Sequence, residues 1–440
     1  MKNPLFIIYH LSFIIASIAS PLSAQRYLSL AECRTLALET DETLRQAENS
    51  LTQADYDKDI AFSNYLPRLD AIGLGYYQTG ETETDLMSLK FKGAYMAGLT
   101  LQQPLYAGGA IVASNRLAKV GQDAAGEQLR KTRMEVIANV DNAYWTLVAV
   151  RSQVQMLHAY QAYVDEAYRS IEVSIRAEMA TQNDLLRLDA KKSEVAYQLQ
   201  KAQTGLELCR LSLLSAIGLD FDTQIIPTDT IFSNTFDAFP HHSTLDRNPD
   251  LQLLRYNIDA AQWQVKLTRA DYLPTLGLSL GYSIGRLAMD ADVPMLREMG
   301  LDMPSSQNYD FNGFNVMATL SVPILNWGEG KKKIRKSKLD LSNAQLDLQQ
   351  KERQLTIRLR QAEANVRDTH AQIATAQLGA EQATENLRVM QTKFDAHLAT
   401  LTDLLDAQTQ WQQAQSNLIE AQTQFQIYLT EYRQVTGTLE

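Results

Sequence analysis

Pro323-Ile324-Leu325-Asn326-Trp327-Gly328 opens a stretch that runs to Gly437, and Pro104-Leu105-Tyr106-Ala107-Gly108-Gly109 opens an earlier copy that runs to Gly218. Inside them, Ala399-Thr400-Leu401-Thr402-Asp403-Leu404-Leu405 matches Ala180-Thr181-Gln182-Asn183-Asp184-Leu185-Leu186. Each pair lies 219 residues apart (323 against 104, 399 against 180, 437 against 218), so more than a hundred aligned positions carry no insertion. A repeat this long, in two copies, is a duplicated half-molecule rather than a solenoid unit.

Beyond each glycine the pattern is helical, with a sustained 3-4 apolar seam. It runs Val136, Val140, Ala143, Leu147, Val150, Val154, Leu157 and on to Ile175 in the first copy. In the second it runs Leu355, Leu359, Ala362, Val366, Thr369, Ile373, Ala376 and on to Phe394. A seven-residue period held this long predicts coiled-coil-like packing. A helix from Gly109 to Arg176 would be roughly 100 Å long at about 1.5 Å per residue, beyond any ordinary globular core. Breaks near Glu178–Thr181 and His397–Thr400 turn each chain segment into a return helix.

Upstream of each long helix the period changes from 3.6 to 2. A helical pattern from Leu28 to about Phe62 stops at Pro67, which removes a donor and disfavours helix before it. Ile72, Leu74 and Tyr76 then alternate with Ala71, Gly73 and Gly75, and Tyr95, Ala97, Leu99 and Leu101 form a return strand across a polar loop, Gln78 to Asp85. The second half repeats this order from Asn248-Pro249-Asp250-Leu251, through Tyr272-Leu273-Pro274 (the counterpart of Tyr65-Leu66-Pro67), to strands carrying Leu276, Leu278, Leu280, Tyr282 and Phe314, Val316, Ala318, Leu320. The two Leu-Pro pairs are 207 residues apart (274 against 67), not 219, so the length difference falls in the strands or the loop between them. The large apolar side of the first strand is one residue out of phase with its copy, which a bulge near Pro67 would reconcile. Pro67, Pro104, Gly109, Pro274, Pro323 and Gly328 mark the expected transitions between strand and helix.

The predicted organisation is a signal peptide over 1–24, a first repeat over 25–218, an irregular connector over 219–246 and a second repeat over 247–440. Lys2, the apolar run Leu5–Ile18 and Leu22-Ser23-Ala24 read as a secretory signal too short to span a bilayer. No cysteine follows the cleavage site, which argues against a lipid anchor. Cys33 and Cys209 are the only cysteines; they are read either as a bridge or as two buried thiols. A net charge of −10 argues against general nucleic-acid binding.

Strands of about ten residues with one large apolar face and one small or polar face suit a membrane β-barrel with a wet lumen. A soluble antiparallel sheet has the same alternation, but the export signal and the lack of elements to cover such a sheet favour the membrane. Four strands do not close alone and open edges are intolerable in lipid, so at least two copies must associate. No catalytic or metal constellation emerges: His241-His242 lies in the connector, and Gly328-Glu329-Gly330-Lys331 lacks the remaining parts of a phosphate loop. The cluster Lys331, Lys332, Lys333, Arg335, Lys336, Lys338 opposes the helix dipole. It reads as a solvated face or, placed below a barrel, as a contact for anionic lipid head groups.

The repeated Leu-Pro before a strand, the Pro-Leu-x-x-Gly-Gly-like strand exit, Asn-Pro-Asp-Leu and the tip Asp-Leu-Leu together resemble the TolC-type outer-membrane efflux protein family over the whole mature chain. The resemblance implies a mixed α and β membrane protein: a long α-helical coiled-coil barrel continuous with a transmembrane antiparallel β-barrel of four strands per protomer, 12 in a homotrimer. It implies outer-membrane lipid around the barrel and docking through the helical tips to a periplasmic membrane-fusion adaptor and an inner-membrane transporter of RND or ABC type. Glu178, Ala180, Thr181, His397, Ala399 and Thr400 are the matching tip residues. Asp403 and Asp406 match the family's periplasmic gate, where three copies would ring the lumen with carboxylates and favour cations. Asp403 has a counterpart in Asp184, whereas Asp406 faces Arg187. The family's latching tyrosine and arginine appear here as Phe394 and Ala399 and its tip glycines as Glu178 and His397, with Arg176 or Lys393 as substitutes. The expectation is a passive export duct without cofactor or reaction, working with its partners; the rivals are a soluble periplasmic coiled-coil interaction protein and an enzyme using Asp403 and Asp406.

Overall fold

The computed structural model describes residues 26–77, 81–84, 87–229, 244–292, 298–301 and 306–440. The expected signal segment, His241-His242, part of the connector and parts of the strand-joining loops lie outside the described residues. Seven strands and seven helices follow in chain order among those described: β1 (Arg26–Leu28), α1 (Leu30–Thr40), α2 (Glu42–Ser63), β2 (Arg68–Tyr76), β3 (Glu81–Thr84), β4 (Met87–Ala107), α3 (Ala110–Arg176), α4 (Gln182–Ile217), β5 (Ile225–Pro227), α5 (Pro249–Ala270), β6 (Thr275–Asp292), β7 (Ser306–Ser321), α6 (Glu329–Asp395) and α7 (Leu401–Thr436).

The single helix expected from Leu28 is two. Asp41 ends α1 in an extended conformation, and its carboxylate accepts from the Leu44 backbone N–H at 2.9 Å to cap α2. Asn248, 207 residues on, caps α5 in the same way through Leu251 at 3.3 Å. The long helices α3 and α6 each run 67 residues, and their return helices α4 and α7 each run 36. Gly218 and Gly437 end these at φ 67° and 74°, in the left-handed region that glycine adopts without penalty.

The chain divides into two compact units. One holds the described parts of Ser50–Gly126 and Leu254–Leu348, and is built on an antiparallel sheet in the order β2-β4-β6-β7, with β3 also on β4. Its two hairpins share one register: Arg68 lies opposite Gln102 and Thr275 opposite Ser321, which are repeat equivalents. No bulge interrupts β2 against β4 near Pro67, so the phase mismatch is a real exchange of large for small residues. The register shifts instead lie between Phe91 and Gly93 and between Pro104 and Tyr106, on β4.

The other unit is helical. The expected seam is its core: Val140 and Val366 are fully buried, with Val136, Leu147, Leu157, Val164, Leu355, Leu359 and Leu387 nearly so. Each such Val or Leu contributes roughly 1.5–3 kcal/mol through burial. Arg34 on α1 meets the buried Asp141 on α3 through two hydrogen bonds of 2.7 and 2.6 Å, and the Thr430 hydroxyl donates to the same carboxylate at 2.8 Å. Asp250 accepts from Lys131 at 2.8 Å and Lys351 at 3.0 Å. Burial opposes its charge, but the two lysines hold it below the ordinary carboxylate range. Inside the expected connector, β5 pairs in parallel with β1. Cys33 and Cys209 are free thiols against one core cluster, and burial pushes Cys33 up to about 12.

Candidate channel residues

The sheet presents two unlike faces. On one, Leu276, Leu278, Leu280, Tyr282 and Ile284 of β6 sit beside Ala97, Leu99 and Leu101 of β4 and Phe314, Val316, Ala318 and Leu320 of β7. These are surface residues: Phe314 is 86% exposed and Val316 71%. From 276 to 284 the band is about 26 Å long along the strand at the rise of an extended strand, which at the tilt of barrel strands is about 20 Å of height, most of the apolar band of a membrane barrel. Beyond it the Arg286 guanidinium donates to Asp310 at 2.5 and 2.8 Å, with Tyr95 opposite Arg286. The other face carries Thr100 and Gln102, Ser279, Gly281 and Ser283, and Asn315 and Thr319. Asn315 leans over Gly281 and Phe311 over Gly285, contacts that a side chain at either glycine would obstruct.

Gly109 and Gly328 stand at φ 87° and 79°, each preceded by another left-handed residue: Gly108 at 61° and Trp327 at 50°. Gly108 is the constrained member, because a Cβ there would stand 2.6 Å from the Ala270 carbonyl oxygen and 2.9 Å from Leu273. Its counterpart Trp327 is 87% exposed. Sequence reasoning named the second residue of each pair, Gly109 and Gly328, as a transition and passed over the first. Pro67 and Pro274 immediately precede β2 and β6, Pro104 lies within β4 at its shift, and Pro323 follows β7.

At the helical turns, Thr181 and Thr400 are N-caps. Asp184 and Asp403 complete capping boxes with them: each carboxylate accepts from the threonine backbone N–H and hydroxyl, at 3.1 and 2.7 Å for Asp184 and 3.0 and 2.7 Å for Asp403. The threonine hydroxyl, then its backbone N–H, holds both carboxyls below the ordinary range. The shared Thr-x-x-Asp is therefore a helix start in both repeats. Asp406, one turn on, is exposed and has no partner among the described residues. Arg187, its counterpart, donates to the Thr402 hydroxyl at 3.1 Å and so joins α4 to the first turn of α7.

Glu178, Thr181, His397 and Thr400 are exposed, whereas Ala180 and Ala399 pack against the core. Phe394, in place of the expected tyrosine, is buried. Of the two substitutes named for the missing arginine, Arg176 pairs with Glu172 of its own helix at 3.3 Å. Two residues that the pattern did not single out stand out: Met179 and Leu398, 219 residues apart, are 62% and 79% exposed.

No group of His, Cys, Asp and Glu that could hold a metal occurs among the described residues. No described helix is long and apolar enough to cross a membrane, which leaves a β-barrel untouched.

The chain is 22% identical to the alkaline protease secretion protein AprF of Pseudomonas aeruginosa, over 94% of this chain and 85% of that one. It is 21% identical to the outer membrane protein TolC of Vibrio cholerae, over 97% and 94%. Its fold superposes on the outer membrane protein VceC of Vibrio cholerae with a TM-score of 0.75 at 16% identity, over 93% and 96%. The family model described as outer membrane efflux protein matches residues 34–218 and 241–438, and the chain belongs to that family.

Proposed function

We propose that this protein is a passive exit duct of the outer membrane, carrying cargo supplied by a periplasmic adaptor and an inner-membrane transporter of RND or ABC type. The observation that carries this reading is the sheet: a broad exposed apolar face, a reverse face that is mostly small and polar on β6 but carries Ile72, Leu74 and Tyr76 on β2, and two edges without a partner strand among the described residues, in a chain of the outer membrane efflux protein family. Lipid forbids such edges, so copies must close the sheet; three copies give a 12-stranded barrel with the apolar face outward. The organisation 1–24 signal, 25–218 first repeat, 219–246 connector and 247–440 second repeat belongs to the same reading, as does the absence of a lipid anchor.

In this duct the turns at Glu178–Thr181 and His397–Thr400 meet the adaptor, and exposed Met179 and Leu398 offer it apolar contacts. Asp406 supplies the free carboxylate at the narrow end; Asp403 keeps one oxygen for it, because the other is committed to Thr400. Such a ring favours cations. The test is purification from detergent-solubilised outer membranes, with mass by light scattering and conductance in a planar bilayer. A trimer forming a cation-preferring pore is expected. A soluble monomer without conductance overturns the proposal.

A further inference from the structure

The reverse face of the sheet changes character along its length. At the end that follows Pro67 and Pro274 it carries Arg68 and Asp70, joined by a 2.8 Å ion pair, with Gln102, Ser279, Thr319 and Ser321. Toward the strand-joining loops it turns apolar in two successive rows that cross all four strands. In the first, Leu74 lies opposite Met96, Met96 opposite Gly285, and Gly285 opposite Phe311, whose ring covers the glycine. In the second, Tyr76 lies opposite Ala94, Ala94 opposite Leu287, and Leu287 opposite Tyr309. Residues directly opposite on antiparallel strands share a face, so these side chains form one surface.

The apolar face makes the opposite change at the same level. Past Ile284 it carries the Arg286–Asp310 ion pair and then Asp290, which holds Lys92 at 2.8 Å. The two rows are therefore apolar where the apolar face ends, and on the side of the sheet that faces away from it. Insertion in lipid does not account for them. Nor does burial within one copy, since Leu74, Tyr76, Tyr309 and Phe311 remain about half exposed.

Exposed apolar surface of this kind marks a binding site, and its side chains indicate the ligand. Flat rings with flexible thioether and aliphatic chains suit apolar bodies of varied shape. The ring faces of Tyr76, Tyr309 and Phe311 favour a cation over an anion. Neither row carries a charged residue, and next to them stand Ser283, then Thr100 and Asn315, to meet a polar end. Resting on the channel reading above, we infer that the two rows form a binding site for amphiphilic organic cations at the exit end of the lumen, lined in each copy by Leu74, Tyr76, Met96, Leu287, Tyr309 and Phe311. The contacts are open to solvent, so a solute is held weakly enough to leave.

The test uses the full-length protein, extracted in detergent as its native oligomer and reconstituted in a planar bilayer, with probes added on the side of the strand-joining loops. Tetraphenylphosphonium is expected to interrupt the current reversibly. Tetramethylammonium, a cation without an apolar body, and naphthalenesulfonate, an aromatic body of opposite charge, are expected to do so only at several-fold higher concentration. Leu74→Ser with Tyr309→Ser is expected to raise the half-blocking concentration of tetraphenylphosphonium about tenfold, the effect of losing one or two apolar contacts. Leu287→Gln, on a different strand, gives a second reading should the double variant fail to assemble. A conducting pore that tetraphenylphosphonium blocks no better than tetramethylammonium, or whose block survives these variants, overturns the site and leaves the channel reading standing. Relief of the block by Asp406→Asn and not by these variants places the site at the other end of the lumen and likewise overturns it. Equal block by naphthalenesulfonate overturns the cationic class of ligand. Absence of conductance in every preparation overturns both readings.

Discussion

Glu178 and His397 occupy the same place in the two repeats and hold nearly the same left-handed backbone, φ 58° and 59°. Each follows a long helix, and the next amide donates back five residues: Met179 to the Ser174 carbonyl at 2.8 Å, Leu398 to Lys393 at 2.7 Å. These are Schellman turns, which ordinarily use glycine. A left-handed conformation costs a residue with a Cβ roughly 1–2 kcal/mol. Glu178→Gly and His397→Gly are therefore each expected to stabilise their turn by about 1 kcal/mol, after allowing for the larger entropy glycine loses. Hydrogen exchange at the Met179 and Leu398 amides should slow several-fold, and faster exchange would count against this account.

Asp403 caps α7, whereas the exposed Asp406 is the carboxylate that the proposed duct would use electrostatically. Asp403→Ala removes a capping-box partner and is expected to loosen the first turn of α7, read as faster exchange at Leu404. Asp406→Asn leaves that cap intact and is expected to lower cation preference in reversal-potential measurements. If Asp406→Asn moved exchange and not selectivity, the assignment of roles would be reversed.

The same caps set a pH dependence. Hydrogen bonds from Thr181 and Thr400 depress the carboxyls of Asp184 and Asp403, so the folded state binds their protons less readily than the unfolded chain. The stabilisation is fully present above the unfolded value of about 3.9 and is lost as pH falls through the lower folded values. Exchange protection of the two turns should be flat from neutrality to about pH 4 and fall below it. Asp403→Asn should abolish that fall at α7 while leaving it at α4.

Arg34 and Asp141 form a pair in which the carboxylate is 1% exposed. Removing one partner of a buried pair leaves an uncompensated charge and costs about 3–5 kcal/mol. Arg34→Met is expected to lower thermal stability accordingly, since Thr430 alone remains on the carboxylate. Replacing Asp141 by Leu in the same chain should recover most of the loss. A double variant no more stable than Arg34→Met would show that the pair does more than neutralise itself.

Most of this architecture was legible because period and punctuation agree in two copies. Pro104 with Gly109 and Pro323 with Gly328 bracket the strand exits, and the seam from Val136 to Ile175 and its copy predict the core. What stayed hidden depends on residues far apart in the chain. Asp141 looks like one more polar position on a helix until Arg34, 107 residues away, is placed beside it. The break at Asp41 lies within a continuous apolar pattern, where a single capping carboxylate outweighs periodicity. The gate motif was read for its charge, yet Thr400 and Thr181 show that Asp403 shares a capping role with Asp184. The phase of β2 was visible in sequence, but its meaning needed the unbroken pairing with β4, which turned an apparent register error into a difference in residue size.

Trp327 and the cations after it form an exposed aromatic and basic surface at the start of α6. Ile324, Leu325 and Trp327 are 93%, 70% and 87% exposed, and Trp327 holds a φ of 50°, an outlier for a bulky residue. Lys331, Lys332, Lys333, Arg335, Lys336 and Lys338 follow, all exposed. Only Lys333 has an ion pair among the described residues, with Glu329 at 2.7 Å. Cations here oppose the dipole of α6, so the helix gains nothing from them. Anionic head groups beside an aromatic residue at the edge of an apolar band would repay both costs, at about 1 kcal/mol per cation near the surface. Lys332→Gln, Arg335→Gln and Lys336→Gln together are expected to reduce the protein's preference for phosphatidylglycerol over phosphatidylcholine vesicles at least tenfold at low salt, with a smaller effect at high salt. Trp327→Gly should relax the backbone and weaken binding to both lipids alike. Unchanged lipid preference in the triple variant would mark the cluster as a solvated face.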